Sequence, residues 1–401
     1  MQQATITPAT SSRLNSIDFT RGLVIVIMAL DHIRDLLHTE SLTDDPVDLS
    51  TTTPALFFTR WITHFCAPVF VFLSGASAFL MMKSRDNPVV TRNFLFTRGL
   101  WLLFLEATIV GFGIWWDIKF RTYLLQVIFA IGSGFIILAL LFRLKPLILG
   151  CIGLAITLFH NLITSSAFNH MPGGAGQNSL LEGVFFKGGF FSLGSERALI
   201  IGYPVIPWLG IMLMGFGVGT VFLQTAEKRR RLLLTYGVST LVLFIGLRAL
   251  NLYGDPKPWT PQSTSLFSFL SFINLNKYPP SLLYTAMTLS VMFFVLCFAE
   301  GKDNRFTRFF VIYGRVPMFF YLLHWYIVHL SMFVMLFLQG VHSSRFVFGV
   351  MQFGRPATGV GLELPALYLY WICLILAMYP LCRWYGRYKA ANRQNRWLAY
   401  L

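Results

Sequence analysis

The sequence predicts an all-α integral membrane protein, a polytopic bundle of about ten transmembrane helices with both termini on the cytoplasmic side. Three observations carry that expectation. Apolar residues make up 55% of the 401 positions and charged residues only 12%, with mean hydropathy +0.63; a soluble domain carries about 25% charged residues. Apolar runs of near-bilayer length recur along the whole chain. The basic residues cluster in short segments between alternate runs, as the positive-inside rule requires of cytoplasmic loops.

The expected spans run approximately 19–37, 61–82, 94–115, 122–142, 146–164, 200–223, 232–252, 279–300, 317–338 and 362–382. The first is the least apolar. It follows a short polar segment, 1–16, without a cleavage-site pattern, and reads as a retained helix rather than a signal peptide. With the N-terminus inside, the cytoplasmic segments hold 21 of the 32 Lys and Arg residues, including Lys228-Arg229-Arg230-Arg231 and the basic tail 383–401. The remaining 11 are spread over longer outer loops, 38–60, 165–199 and 253–278 among them. The net charge of +15 is thereby a topology signal near anionic lipid, not a nucleic-acid footprint. No internal repeat argues for inverted transporter symmetry. One membrane domain, 1–401, accounts for the chain, in contact with the lipid bilayer and with room for a homodimer.

Ionisable residues inside apolar spans are costly and mark function. Arg21 and His32 are 11 residues apart, which is three helical turns plus about 20°, so they share a face roughly 16 Å apart along the axis. Asp18 falls near the same stripe, and Asp31 adjoins His32. Asp18 and Arg21, three apart, are also placed to pair with each other. His64 opens the second span, level with Asp31 and His32. Glu106 lies in the outer half of the third span and Gln126 near the outer end of the fourth. His324 and His329 in the ninth span are five apart, about 140° around a helix, so they cannot both face one ligand. Neither they nor the five cysteines, which lack CxxC spacing, indicate a metal site or a disulfide framework. Ser74-Gly75-Ala76-Ser77-Ala78 reads as a close-packing stripe.

Leu14-Asn15-Ser16-Ile17-Asp18-Phe19-Thr20-Arg21-Gly22 resembles the opening motif of the heparan-alpha-glucosaminide N-acetyltransferase catalytic-domain family. Pro68-Val69-Phe70-Val71-Phe72-Leu73-Ser74-Gly75 and Tyr313-Gly314-Arg315-Val316-Pro317-Met318-Phe319-Phe320-Tyr321-Leu322-Leu323-His324 resemble it too, and together suggest coverage of nearly the whole chain. Bacterial members look closest, through Asp31-His32-Ile33-Arg34-Asp35 and Thr59-Arg60-Trp61-Ile62-Thr63-His64-Phe65-Cys66-Ala67-Pro68. The Arg21–His32 spacing also looks like the Arg-x10-His pattern of the broader membrane acyltransferases. The resemblance implies a multi-pass protein of a bacterial cell membrane. It would transfer an acyl group, usually acetyl from cytoplasmic acetyl-CoA, to a glycan-type acceptor beyond the membrane, with no permanently bound cofactor. One departure is visible. The lysosomal enzyme has its catalytic histidine in the loop before the second span, where this chain offers only His38 nearby.

For that chemistry His32 is the expected general base, oriented by Asp31 or Glu106. His64 or Gln126 would supply an oxyanion donor. Arg21 and Arg315, with Asp18 beside them, would hold CoA phosphates at the inner face. A proton-coupled secondary transporter is the alternative reading of the same intramembrane charges, and a non-catalytic scaffold a third.

Overall fold

The computed structural model describes residues 14–85, 87–162, 179–392 and 394–400. The chain begins with α1 (Asn15–Leu37), followed by α2 (Pro54–Ile62), which passes through one 3₁₀ turn into α3 (Cys66–Ser84). Thr53 caps α2 by accepting from the Leu56 N–H, and Pro54 occupies the first turn, where its missing donor costs nothing. The helix α4 (Pro88–Leu105), capped by Asn87, runs through a π-helical turn (Glu106–Val110) into α5 (Gly111–Trp115). Then come β1 (Thr122–Leu125), α6 (Val127–Leu140), α7 (Pro146–Leu162), a single turn α8 (Leu180–Glu182), β2 (Gly189–Ser192), β3 (Ala198–Ile201) and α9 (Val205–Val218). The remaining α-helices are α10 (Ala226–Leu250), α11 (Ser265–Ile273), α12 (Leu282–Ala299), α13 (Arg305–Arg315), α14 (Pro317–Leu338) and α15 (Leu364–Ala391).

Among the described residues, seven helical stretches are long and apolar enough to cross a membrane: Pro54–Ser84, Pro88–Trp115, Val205–Leu223, Ala226–Leu250, Leu282–Ala299, Pro317–Leu338 and Leu364–Ala391. The apolar helices α6 and α7 are shorter. Two expected spans lose their first residues to strands. Thr122–Leu125 and Ala198–Ile201 pair in parallel, and β2 adds antiparallel to β3, giving the order β1-β3-β2. A short apolar run does not distinguish a strand from a helix end by periodicity. Three segments read as loops hold helices: α2 in 38–60, α11 in 253–278 and α13 in 300–315. Much of the long 165–199 loop lies outside the described residues. The basic tail is helical as far as Ala391, as part of α15.

α1 is the axis. It packs against α3, α12, α13, α14 and α15, and its face from Ser16 to Leu37 is mostly buried. In α9 and α12 72% of the most apolar stretch is buried, against 22% in α10 and α15, which therefore form the apolar rim. Two ends can be told apart by their contacts. At the end where α1 starts, the Ser16 hydroxyl donates to Glu300, which also pairs with Arg229. That ties α1 to the end of α12 and the start of α10. At the opposite end the buried Arg355 guanidinium donates to the carbonyls of Leu36, His38, Thr39 and Val360. Arg248 does the same for Lys257, Ser271, Phe272 and Asn274. The small sheet lies at this second end, since Leu124, Ile200 and Ile201 line a cavity with His32.

Glycine sets the helix spacing at two crossings. A Cβ on Gly314 would sit 1.7 Å from the Asp18 carbonyl oxygen, and one on Gly22 1.8 Å from that of Phe310, so α1 and α13 meet backbone to backbone. A Cβ on Gly75 would lie 2.0 Å from the Met212 oxygen, which gives the small-residue stripe of α3 its packing role against α9. Gly314→Ala is therefore expected to cost at least about 1–3 kcal/mol by overpacking. It should lower the melting temperature of the detergent-solubilised protein. Gly246→Ala, with nothing within 4 Å of the added methyl, should leave it unchanged or raise it.

Candidate active site

Two cavities meet inside the bundle. The first, of about 280 Å³, lies toward the start of α1 and is lined chiefly by apolar side chains together with Arg21, Arg98, Ser74, Ser77 and Tyr321. The second, of about 450 Å³, lies toward the end of α1 and is lined by Asp31, His32, Arg34, Asp35, Arg60, Gln126, Lys277 and Trp325 among others. Met28, Phe70 and Val127 belong to both walls. Three apolar side chains thus separate a cavity with two guanidinium groups from one with a histidine. The 3.6-residue period puts Arg21, Met28 and His32 along the same side of α1, which is why one helix serves both spaces.

His32 is held by α14. Its Nδ1 is 2.7 Å from Nε2 of His324, and Nδ1 of His324 is 3.1 Å from the Phe320 carbonyl oxygen. A carbonyl only accepts, so the network assigns the proton of neutral His324 to Nδ1. Nε2 of His324 is then an acceptor, and His32 donates to it from Nδ1. The open nitrogen of His32 is Nε2, with its lone pair. Trp325 stacks on the His32 ring at 4.1 Å and 20°, and Tyr321 meets it edge-on at 6.2 Å. The ring's tautomer and orientation are both fixed. His324 is fully buried and signalled its role in the sequence only as an intramembrane histidine; nothing in its spacing pointed to His32, 292 positions away.

The carboxylates expected to orient His32 are engaged elsewhere. Asp31 binds Arg60 at 2.7 Å and Arg34 at 3.1 Å, and Arg34 also binds Asp35 at 2.5 Å. Glu106 accepts from the backbone N–H of Gln126 at 2.6 Å through Oε1, tying the π-helical turn to the start of α6; its Oε2 is buried without a partner. Gln126 does line the His32 cavity. His64 is buried beside Tyr284, whose hydroxyl donates to the His64 carbonyl, and it lines neither cavity. His329 lies apart, with Nε2 donating to the Phe353 carbonyl at 2.9 Å and its ring stacked on Trp116. His38 is buried beneath Arg355.

On the arginine side, Arg21 donates to the Leu73 carbonyl at 3.0 Å and to the Ser77 hydroxyl, so its head group is aimed across the cavity at α3. Arg315 is half exposed, with Nε 3.7 Å from Asp18 Oδ2, and lines neither cavity. The second guanidinium in the cavity is Arg98, from α4. It reads in sequence as one more basic residue of an inner loop, which is why sequence spacing did not single it out.

The helix that carries Arg21 and His32 lies within a region that matches a known family. The model of the family described as heparan-alpha-glucosaminide N-acetyltransferase, catalytic, matches residues 13–254, more than half of the chain. The chain belongs to that family. This is an acetyltransferase family with acetyl-CoA as donor, and the chain is accordingly a multi-pass membrane protein of transferase type. The N-acetyltransferase match takes in α1, α3, α4 and α6 and ends before α14. The resemblance of the Tyr313–His324 segment therefore lies outside the matched region. A comparison with curated proteins finds no match.

The ion-pair cluster in the wall of the second cavity makes a prediction of its own. Asp31 serves two arginines, so Asp31→Asn leaves both short of countercharge in a largely buried setting. The expected loss is about 3 kcal/mol. It should appear as a lower melting temperature, with acetyl-CoA affinity within about twofold of wild type. An unchanged melting temperature would show that the cavity's water already solvates the cluster.

Proposed function

We propose that the protein transfers an acetyl group from cytoplasmic acetyl-CoA to a glycan-type acceptor on the far side of the membrane. The observation that carries this reading is the pair of abutting cavities, one holding two arginines and the other a histidine with one ring nitrogen open. Ten crossings fit the arrangement: α1, α2–α3, α4–α5, α6, α7, α9, α10, α12, α14 and α15. The end where α1 begins would be cytoplasmic, supported by its 21 of 32 basic residues.

In this reading CoA phosphates meet Arg21 and Arg98, whose guanidinium forks suit phosphate oxygens. The pantetheine arm runs along α1 toward Met28 and presents the thioester at the junction. The acceptor enters the opposite cavity. Its hydroxyl or neutral amine attacks the carbonyl carbon while Nε2 of His32 takes its proton, and the carbonyl electron pair moves onto oxygen. His324 stabilises the resulting imidazolium by accepting from Nδ1. The pair then returns, the C–S bond breaks, and the thiolate leaves with the proton from His32. No acyl-enzyme is required. Arg34, Arg60 and Lys277 face Asp31 and Asp35 in this cavity, an excess of one positive charge. That balance disfavours a protonated amine as the bound acceptor.

The same two cavities, opened to one another, would also suit the transporter reading. The variants Arg21→Ala and His32→Ala separate the two. Arg21→Ala should weaken acetyl-CoA binding by about 1–3 kcal/mol. His32→Ala should leave donor affinity nearly unchanged and lower acetyl transfer roughly 10²–10⁴-fold. Calorimetry with acetyl-CoA and CoA on purified protein reads the first effect, and CoA-thiol release the second. Wild-type protein that binds neither would exclude the acyltransferase reading. Equal donor affinity in wild type and Arg21→Ala would remove Arg21 from the donor site.

Cysteine accessibility checks the orientation independently. Positions in the basic tail should be labelled only from the cytoplasm, and positions in 253–278 only from outside. The reverse pattern would place His32 on the donor side.

A further inference from the structure

Resting on the acetyltransferase reading, we propose that Tyr321 and Trp325 form the oxyanion site, receiving the thioester carbonyl between the Tyr321 hydroxyl and the Trp325 indole N–H. The two residues are four apart on α14 and so share one face of that helix. Tyr321 lines the arginine cavity and Trp325 the histidine cavity, so the pair straddles the wall that Met28, Phe70 and Val127 complete. Both touch the base, Trp325 stacked on His32 and Tyr321 edge-on to it.

Their polar atoms are the unusual feature. The Tyr321 hydroxyl and the Trp325 Nε1 are buried in side chains 4% exposed, turned toward one another and with no other hydrogen-bond partner. A buried donor left unmade costs about 1–3 kcal/mol, and native proteins leave few of them. Other buried indoles, such as Trp115 and Trp208, also lack partners. What sets Tyr321 and Trp325 apart is their place beside a base, at the meeting of two cavities. An indole N–H can only donate, and a tyrosine hydroxyl can donate. The indole N–H turns to the tyrosine oxygen, the tyrosine O–H has no acceptor, and two donors converging in this way suit an oxygen that gains negative charge during reaction. The carbonyl carbon would then lie next to His32, where the acceptor's proton has to go. Gln126 and His64 are the competing donors. Gln126 lines only the histidine cavity, and His64 lines neither.

The test reads the carbonyl itself and needs no acceptor. Full-length protein in detergent is loaded with acetyl-CoA labelled with ¹³C at the acetyl carbonyl, and the isotope-edited infrared band is compared with that of free acetyl-CoA. The expected band in wild type lies at lower frequency than in solution. It should move back toward the free value in Tyr321→Phe and in Trp325→Phe, each measured with the donor at saturation. Tyr321→Phe removes a hydroxyl whose one polar neighbour is the Trp325 indole N–H, so its melting temperature should fall little. A lowered band that persists in both variants, or that is lost only in Gln126→Ala, would overturn the oxyanion assignment and leave the acetyltransferase reading standing. A wild type that binds no acetyl-CoA would overturn both.

Discussion

The structure depends on getting the charges of α1 out of lipid. This helix carries Asp18, Arg21, Asp31, His32, Arg34 and Asp35 along 23 residues. Charged groups facing hydrocarbon would cost several kcal/mol each. The bundle meets that cost by surrounding α1 and giving its charges partners or polar space: Arg315 near Asp18, Arg60 and Arg34 on Asp31, and cavities at Arg21 and His32. This is also why α1 is absent from the helices apolar enough to span a membrane by composition. It needs no lipid-compatible surface where other helices cover it.

Covering one helix so completely requires close approach, and the glycines supply it. Gly22 and Gly314 let α13 lie against α1 at backbone distance, which brings Pro317 and the start of α14 in beside the arginine cavity. α14 then runs along α1 and delivers Tyr321, His324 and Trp325 to His32 in successive turns. The surroundings of His32 and the wall between the cavities thus both follow from one backbone contact at the opposite end of α1. Gly75 and Gly215 do the same for α3 and α9, and so place Phe70, Ser74 and Ser77 on the cavity walls.

The cavities divide labour by chemistry. Toward the start of α1 the walls are apolar apart from two arginines, two serines and Tyr321, a setting in which guanidinium groups are poorly hydrated and favour an anion. Toward the end of α1 the polar side chains are dense and paired, and the short sheet closes over them. In that sheet the central strand β3 is paired on both sides, by β1 and by β2.

Much of this was legible in the sequence. Composition and apolar runs determined a mainly helical membrane protein, because a chain with so few charges has no aqueous surface to spare; the short sheet β1-β3-β2 was not foreseen. The ninth expected span, 317–338, coincides with α14, since proline at its start and a polar turn at its end bracket the run. The shared face of Arg21 and His32 followed from helical period alone, a local property that any helix of this sequence would have. The family motif near the N-terminus was equally local. Tertiary structure alone decided the partners. Asp31 is adjacent to His32 in sequence, yet neighbours on a helix point 100° apart, and the carboxylate turns to Arg60. His324 lies 292 residues from His32 and becomes its ring partner because α14 packs on α1. Arg98 replaces Arg315 in the arginine cavity for the same reason: α4 faces the cavity, whereas the end of α13 faces outward. A sequence fixes what each helix can present on its faces; which faces meet is set by packing over hundreds of residues, and no local pattern carries it.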